Sequence, residues 1–177
     1  MKPFMLYLVG ISGSGKTTIA NALEKELKKR KKDIKLQVID GDVIRKQFGG
    51  IFGYTKEERM KCNQAVRVVV KYLLENNVSV VLSQVAAYEE MRQAVRNDFL
   101  DNYIEVYVKC SYEERARRDV KGYYKKIQQG TMQNLNGAND IYEIPTNADL
   151  VLDTEHCTIE EAVKAVMLCI EEKGYDV

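Results

Sequence analysis

Short apolar runs alternate with amphipathic stretches along most of the chain. Phe4 to Val9 is apolar and ends at a glycine, and Leu36 to Ile39, Val78 to Leu82, Tyr103 to Val108 and Leu150 to Leu152 repeat that pattern. Runs this short read as strands, and runs without polar alternation read as strands covered on both faces. Between them, Lys16 to Arg30 has helical character. After Thr55, residues Cys62, Val66, Val69, Val70 and Leu73 fall on one helical stripe. Tyr88 to Phe99 predicts another helix. Thr55 to Glu58, Ser111 to Glu114 and Thr158 to Glu161 each set Glu three residues after Ser or Thr, the spacing of a capping box. Strands alternating with helices predict an α/β fold, a mainly parallel five-stranded sheet with helices on both faces. One domain is expected over residues 1–177, with an irregular, basic lid segment at about 119–144 towards the C-terminal end.

Composition narrows the classes of function. Lys plus Arg total 27 against 26 Asp plus Glu, and the resulting net charge of +1 offers no broad field for nucleic acid or a lipid surface. No window approaches the ~18 apolar residues of a membrane span, and no cleavable leader is expected at the N-terminus. Cys62, Cys110, Cys157 and Cys169 are widely spaced, and His156 is the only histidine, so a structural zinc site has little support. A reducing cytoplasm is the expected setting.

The chemistry begins at Gly10-Ile11-Ser12-Gly13-Ser14-Gly15-Lys16-Thr17, which satisfies G-x-x-x-x-G-K-[ST] between a strand and a helix. Glycines let backbone N–H groups turn in around a phosphate, and the helix N-terminus adds positive potential. Lys16 is placed to reach the β- and γ-phosphates, and the Thr17 hydroxyl to ligate Mg²⁺. The fold class is therefore that of P-loop NTPases, and the expected ligand is a nucleoside triphosphate.

The run Leu36 to Ile39 ends in Asp40-Gly41-Asp42. An acid at a strand tip beside the cradle steers Mg²⁺ or takes a proton from an attacking hydroxyl. A GTPase would need an Asn-Lys-x-Asp base reader, which the chain lacks. Asp119-Val120-Lys121-Gly122 matches a GTPase pattern but follows a helix rather than a strand. Arg115, Arg117, Arg118, Lys121, Lys125 and Lys126 form a basic cluster suited to a lid over phosphates, of which one or two should reach phosphate. The rest suit a helix C-terminal dipole.

Together these segments resemble the adenylylsulfate (APS) kinases over nearly the whole chain. The carriers are the cradle, Asp40-Gly41-Asp42-Val43-Ile44-Arg45, Gly53-Tyr54-Thr55-Lys56-Glu57-Glu58-Arg59 with Asn63, and Arg118 to Lys126. Tyr142 to Pro145 and Leu150 to Thr154 fit as well. The resemblance implies transfer of the ATP γ-phosphate to the 3′-hydroxyl of a nucleotide, with Mg²⁺, in a homodimer of the sulfate-assimilation type. It implies that Gly10, Ser12, Gly13, Ser14, Gly15, Lys16, Thr17, Thr18 and Arg118 hold ATP. Thr17 and Asp40 would serve the metal. Asp42 would face the hydroxyl, with Lys16 as its catalytic counterpart on the phosphate. Arg45, Tyr54, Arg59, Asn63, Val85, Ala86, Lys121 and Leu135 would hold the acceptor, Tyr54 by stacking on its base.

Two stretches depart from the family pattern. Where Ile-Ser-Pro-Tyr-Arg is usual, this chain reads Val85-Ala86-Ala87-Tyr88-Glu89, and Asn-Phe-Thr-Gly is replaced by Asn134-Leu135-Asn136-Gly137. Leucine loses the aromatic stacking of roughly 0.5–1.5 kcal/mol that phenylalanine gives. Both changes fall on the acceptor side. Adenylylsulfate is the default acceptor. The nearest alternative is another activated nucleotide, such as cytidine diphosphoramidate, whose amide nitrogen would be tolerated by an acid at Glu89 that repels sulfate. A non-catalytic ATP-sensing module is disfavoured because Lys16 and Asp42 are both present. A nucleoside monophosphate kinase does not explain the Asp-Gly-Asp-x-x-Arg spacing.

Overall fold

The computed structural model describes residues 2–131 and 135–177. Five strands form one sheet in the order β2-β3-β1-β4-β5: β1 (Met5–Val9), β2 (Leu36–Asp40), β3 (Ser79–Gln84), β4 (Tyr103–Lys109) and β5 (Leu150–Asp153). Every neighbouring pair is parallel. The helices are α1 (Lys16–Arg30), α2 (Gly41–Gln47), α3 (Lys56–Glu75), α4 (Glu89–Phe99), α5 (Tyr112–Arg118), α6 (Tyr123–Gln128) and α7 (Ile159–Glu172), with a 3-10 turn at Leu100–Asn102.

The period of a strand divides the core in two. Phe4, Leu6 and Leu8 point to one face, where they pack with Leu23 and Leu27 of α1 and Val166 and Ile170 of α7. Met5, Tyr7 and Val9 point to the other, against Val66 and Val70 of α3 and Val95 of α4. Because alternate residues of β1 are apolar on both sides, the strand has no solvent face and takes the centre of the sheet. A third, smaller cluster joins Ala87, Tyr88 and Met91 to Met60 and Tyr142, between α3, α4 and the end of the lid segment.

A parallel sheet sends all its strand exits to one edge, where α/β proteins bind ligands. The loop after β1, the acid pair after β2, Val85 to Tyr88 after β3 and Thr154 after β5 therefore share that edge.

Local details differ from expectation in three places. Residues 41–47 and 123–128 are helical, although neither stretch has enough apolar periodicity to announce a helix. Thr55 and Thr158 make complete capping boxes, whereas Ser111 makes half of one. Its hydroxyl accepts from Glu114 N–H, but the Glu114 carboxylate is taken by Arg117 and Arg118. Finally, Tyr88 caps α4 without a side-chain bond, and the carboxylate of distant Glu143 accepts from Glu89 N–H at 2.6 Å instead.

Leu23 is fully buried where α1 meets the sheet and α7. Leu23→Ala is expected to cost about 3 kcal/mol in urea unfolding. A loss below about 1 kcal/mol would mean that α1 is not packed as described.

Candidate active site

The loop after β1 is shaped by its glycines and by close approach. A Cβ on Gly10 would stand 2.4 Å from the carbonyl oxygen of Val108, so only glycine lets the loop leave β1 beside β4. Lys16 heads α1 with its side chain folded back, Nζ donating to the carbonyl of Ile11 at 2.9 Å. The Thr17 hydroxyl donates to Asp40 Oδ2 at 2.7 Å. The other Asp40 oxygen caps α2, accepting from the N–H groups of Asp42 and Val43. Asp40 is thus fixed at both oxygens, one by the next helix and one by the cradle.

A cavity of about 170 Å³ opens between the cradle and the acids. Ser12, Gly13, Gly15, Lys16, Thr17 and Thr18 line it from the loop and α1, Asp40 and Asp42 from the β2 exit, Val85 from the β3 exit, Arg118 from the end of α5 and Lys121 from the lid. The larger surface groove, of about 820 Å³ between α3 and α4, holds none of these residues. The smaller cavity is the one with the chemistry.

The lid segment reaches the cradle through specific contacts. Lys121 is ion-paired with Asp42 across the cavity. The Arg118 guanidinium donates to the carbonyl of Thr154 at 2.7 Å and to Glu114 at 2.8 Å. It also lines an adjoining cavity of about 300 Å³ with Thr154 and Cys157. Arg115 is buried and structural, donating to Tyr124 Oη at 2.6 Å and to the carbonyls of Cys110 and Ser111. Tyr124 in turn donates to the carbonyl of Ser12. Gly137 packs on Ile11 so closely that a Cβ there would meet its side chain at 2.4 Å. Of the six cations in the basic cluster, two line the cavity, one is a buried anchor and Arg117 pairs with Glu114. The Asp119 carboxylate accepts from Tyr124 and Lys125 N–H and so starts α6, which explains its chance likeness to a GTPase motif.

On the acceptor side the guanidinium carbons of Arg45 and Arg59 lie 5.0 and 5.3 Å from the centre of the half-exposed Tyr54 ring. Arg45 donates to the carbonyls of Phe52 and Gly53, and Arg59 to that of Tyr54 at 2.8 Å. No acid lies within ion-pair distance of Arg45 among the described residues. Asn63 reaches the cavity through a neighbour. It is buried, and its Nδ2 donates to Gln84 Oε1 at 3.1 Å, which also accepts from Tyr7 Oη at 2.7 Å. Asn63 thereby holds Gln84, a cavity-lining residue that no sequence motif marks. Leu135 is buried, its N–H bonded to Asn139 Oδ1 at 2.9 Å. Asn134 lies outside the described residues.

Glu89 has a partner within its own helix. Its Oε2 accepts from Arg92 Nη2 at 2.6 Å and from Nε at 3.1 Å. Its negative charge is answered by a neighbour one helical turn away. Ala86, in the same stretch, is buried with φ of +48°, a left-handed conformation costing a non-glycine residue about 1–2 kcal/mol. The N–H groups of Ala86 and Ala87 find no acceptor among the described residues.

The electrostatics follow from burial and from scarce acids. Burial lowers the Lys16 pKa from its usual value to about 7, Lys121 and Arg115 push the same way, and Asp42 and Asp40 oppose them. Burial raises the Asp42 pKa, but Lys121, Lys16 and Arg45 outweigh it and leave the carboxyl below its usual range. Thr17 and Asp40 together present hard oxygen donors beside the cradle, the donor type that suits Mg²⁺.

Comparison with known proteins places the chain in a family. The family described as adenylylsulphate kinase matches residues 2–153. An adenylyl-sulfate kinase of Halothermothrix orenii is 38% identical over 98% of this chain and 92% of its own length. A probable adenylyl-sulfate kinase of Pseudomonas aeruginosa is 41% identical over 93% of this chain and 75% of its own. Among solved structures, the Mycobacterium tuberculosis APS kinase CysC in complex with AMPPNP and APS superposes with a TM-score of 0.89. It is 26% identical, and the match covers 96% of this chain and 98% of that one.

The buried lysine yields a signed expectation. Between about pH 7 and 10 the unfolded chain holds a proton at Lys16 that the ligand-free folded chain has lost, so this group adds stability as pH rises. Phosphate in the cradle reverses the burial effect and recharges the lysine. Binding of MgATP at pH 8 should therefore take up roughly one proton, read from calorimetry in buffers of different ionisation enthalpy. A binding enthalpy independent of buffer would contradict it.

Proposed function

The chain belongs to the adenylylsulphate kinase family, and from that premise we propose that it transfers the γ-phosphoryl group of ATP to the 3′-hydroxyl of adenylylsulfate, giving 3′-phosphoadenylylsulfate and ADP. The observation that carries this reading is the single cavity in which Lys16, Asp42 and Lys121 meet, with Arg45, Tyr54 and Arg59 grouped together on the acceptor side.

The ATP phosphates lie in the loop from Gly10 to Thr18, with Lys16 against the transferred group. Arg118 and the adjoining cavity by Thr154 and Cys157 take the adenine end. Thr17 would hold Mg²⁺ directly and Asp40 would orient the Thr17 hydroxyl; the ion, when bound, neutralises charge on the β- and γ-phosphates. The acceptor's anionic groups meet Arg45, Arg59 and the N–H groups of Ala86 and Ala87, and its base meets Tyr54 and Leu135.

Asp42 accepts the hydrogen bond of the 3′-hydroxyl and then its proton as the O3′–P bond forms. The bond from the γ-phosphorus to the bridging oxygen breaks, its electrons leaving with ADP. In the ligand-free protein Lys121 occupies Asp42. When phosphate draws Lys121 away, Asp42 loses the cation that keeps its pKa low and becomes a better acceptor of the proton. Lys121 then meets the charge of the transferred group. ATP dependence and free cysteines among the described residues fit a reducing cytoplasm, and the family resemblance adds a homodimer.

Cytidine diphosphoramidate gains no support from Glu89, whose carboxylate is held by Arg92. A comparison of kcat/KM for the two acceptors with ATP in excess is expected to favour adenylylsulfate clearly. Equal values, or a preference for the cytidine nucleotide, would reverse the assignment. Asp42→Asn is expected to lower kcat by about 10²–10⁴ while the KM for ATP changes little. Unaltered turnover would remove Asp42 from the role of proton acceptor.

A further inference from the structure

Arg92 is 1% exposed, among the most completely buried large side chains of the protein, and no motif marks it. Its Nη1 donates to the carbonyl of Ala86 at 2.7 Å, and the other side of the guanidinium is held by Glu89. The Ala86 carbonyl is the middle one of three. The carbonyl of Val85 accepts from Gly10 N–H at 3.4 Å, and that of Ala87 from Glu143 N–H at 2.8 Å. Three successive carbonyls are thus aimed at three different elements: the phosphate loop, α4 and the end of the lid segment. An extended chain turns successive carbonyls in alternate directions and cannot serve all three, and the left-handed φ of Ala86 supplies the missing turn.

We propose that Arg92 is a positioning residue for the acceptor pocket, which holds Ala86 in its left-handed turn and so aims the Val85–Ala87 backbone at the acceptor. Glu143 completes the device. Its carboxylate accepts from Glu89 N–H while its own N–H donates to Ala87, so the lid closes on the same loop that Arg92 sets. Ala86, strained and held by a buried cation, sits between Val85, which touches the cradle, and Ala87, which touches the lid, so the loop couples acceptor binding to lid position. The proposal rests on the reading above that this loop faces the acceptor.

The test compares KM for adenylylsulfate with KM for ATP. Arg92→Gln is expected to raise the first about tenfold and leave the second within about twofold. Glycine takes up the left-handed conformation freely. Arg92→Gln combined with Ala86→Gly is therefore expected to recover about threefold or more of the lost acceptor affinity. Arg92→Lys, which keeps charge but not the fork, should fall between wild type and Arg92→Gln. An arginine that only supports the fold would lower Tm and the active fraction without splitting the two KM values. Glycine would then bring no recovery, and that pattern overturns the proposal. Should Arg92→Gln fail to fold, Glu89→Gln at its half-exposed site loosens the same guanidinium, and an unchanged acceptor KM would count against the proposal. Ala86 Cα and Cβ chemical shifts in ligand-free protein serve whatever the acceptor. They should leave left-handed values in Arg92→Gln, and their retention contradicts the assignment even where wild-type turnover of adenylylsulfate has failed and defeated the functional reading instead.

Discussion

The arrangement of the site depends on one ion pair, Lys121 with Asp42, formed between the lid and the strand edge. Three basic side chains, Lys16, Lys121 and Arg115, gather at the cradle, and among the described residues Asp40 and Asp42 are the acids that oppose them there. Asp40 is already committed to Thr17 and to the start of α2. Asp42 is therefore the acid left to balance the lid, and its pairing draws Lys121 over the cradle before any ligand is bound. A nucleoside triphosphate supplies the negative charge that the site lacks.

Beneath that pair, the lid is secured by groups that are not themselves in the cavity. Arg115, Tyr124 and the carbonyl of Ser12 form a chain from α5 through α6 to the phosphate loop. Gly137 lies against Ile11 on the same loop. At the far end, Glu143 fastens the segment to the β3 exit. The lid is thus tied at both ends to the two walls between which phosphate must move.

The fold was legible because periodicity and burial speak together. Alternate residues of β1 serve two cores, so the strand reads as uniformly apolar, and the helical stripe of α3 is regular enough to be counted. The cradle and the acid pair were legible because their chemistry constrains spacing. What escaped were contacts across long sequence separations. Nothing local says that Glu143 will cap α4, or that Asn63 will spend its amide on Gln84. Glu89 has a local partner instead. Its sequence neighbours suggest an acid facing the acceptor, but the helix returns Arg92 to it one turn later. Helices α2 and α6 were missed because they are short and start from Asp40 and Asp119 side chains rather than from an apolar stripe.

The exchange proposed at Asp42, the lid lysine for the acceptor hydroxyl, is visible directly in a crystal structure with a non-hydrolysable ATP analogue, Mg²⁺ and adenylylsulfate bound together. An Asp42 carboxylate oxygen is expected within about 2.6–3.2 Å of the ribose 3′-oxygen, with Lys121 moved onto phosphate. A complex in which Lys121 still holds Asp42, and the 3′-hydroxyl faces another group, would contradict it.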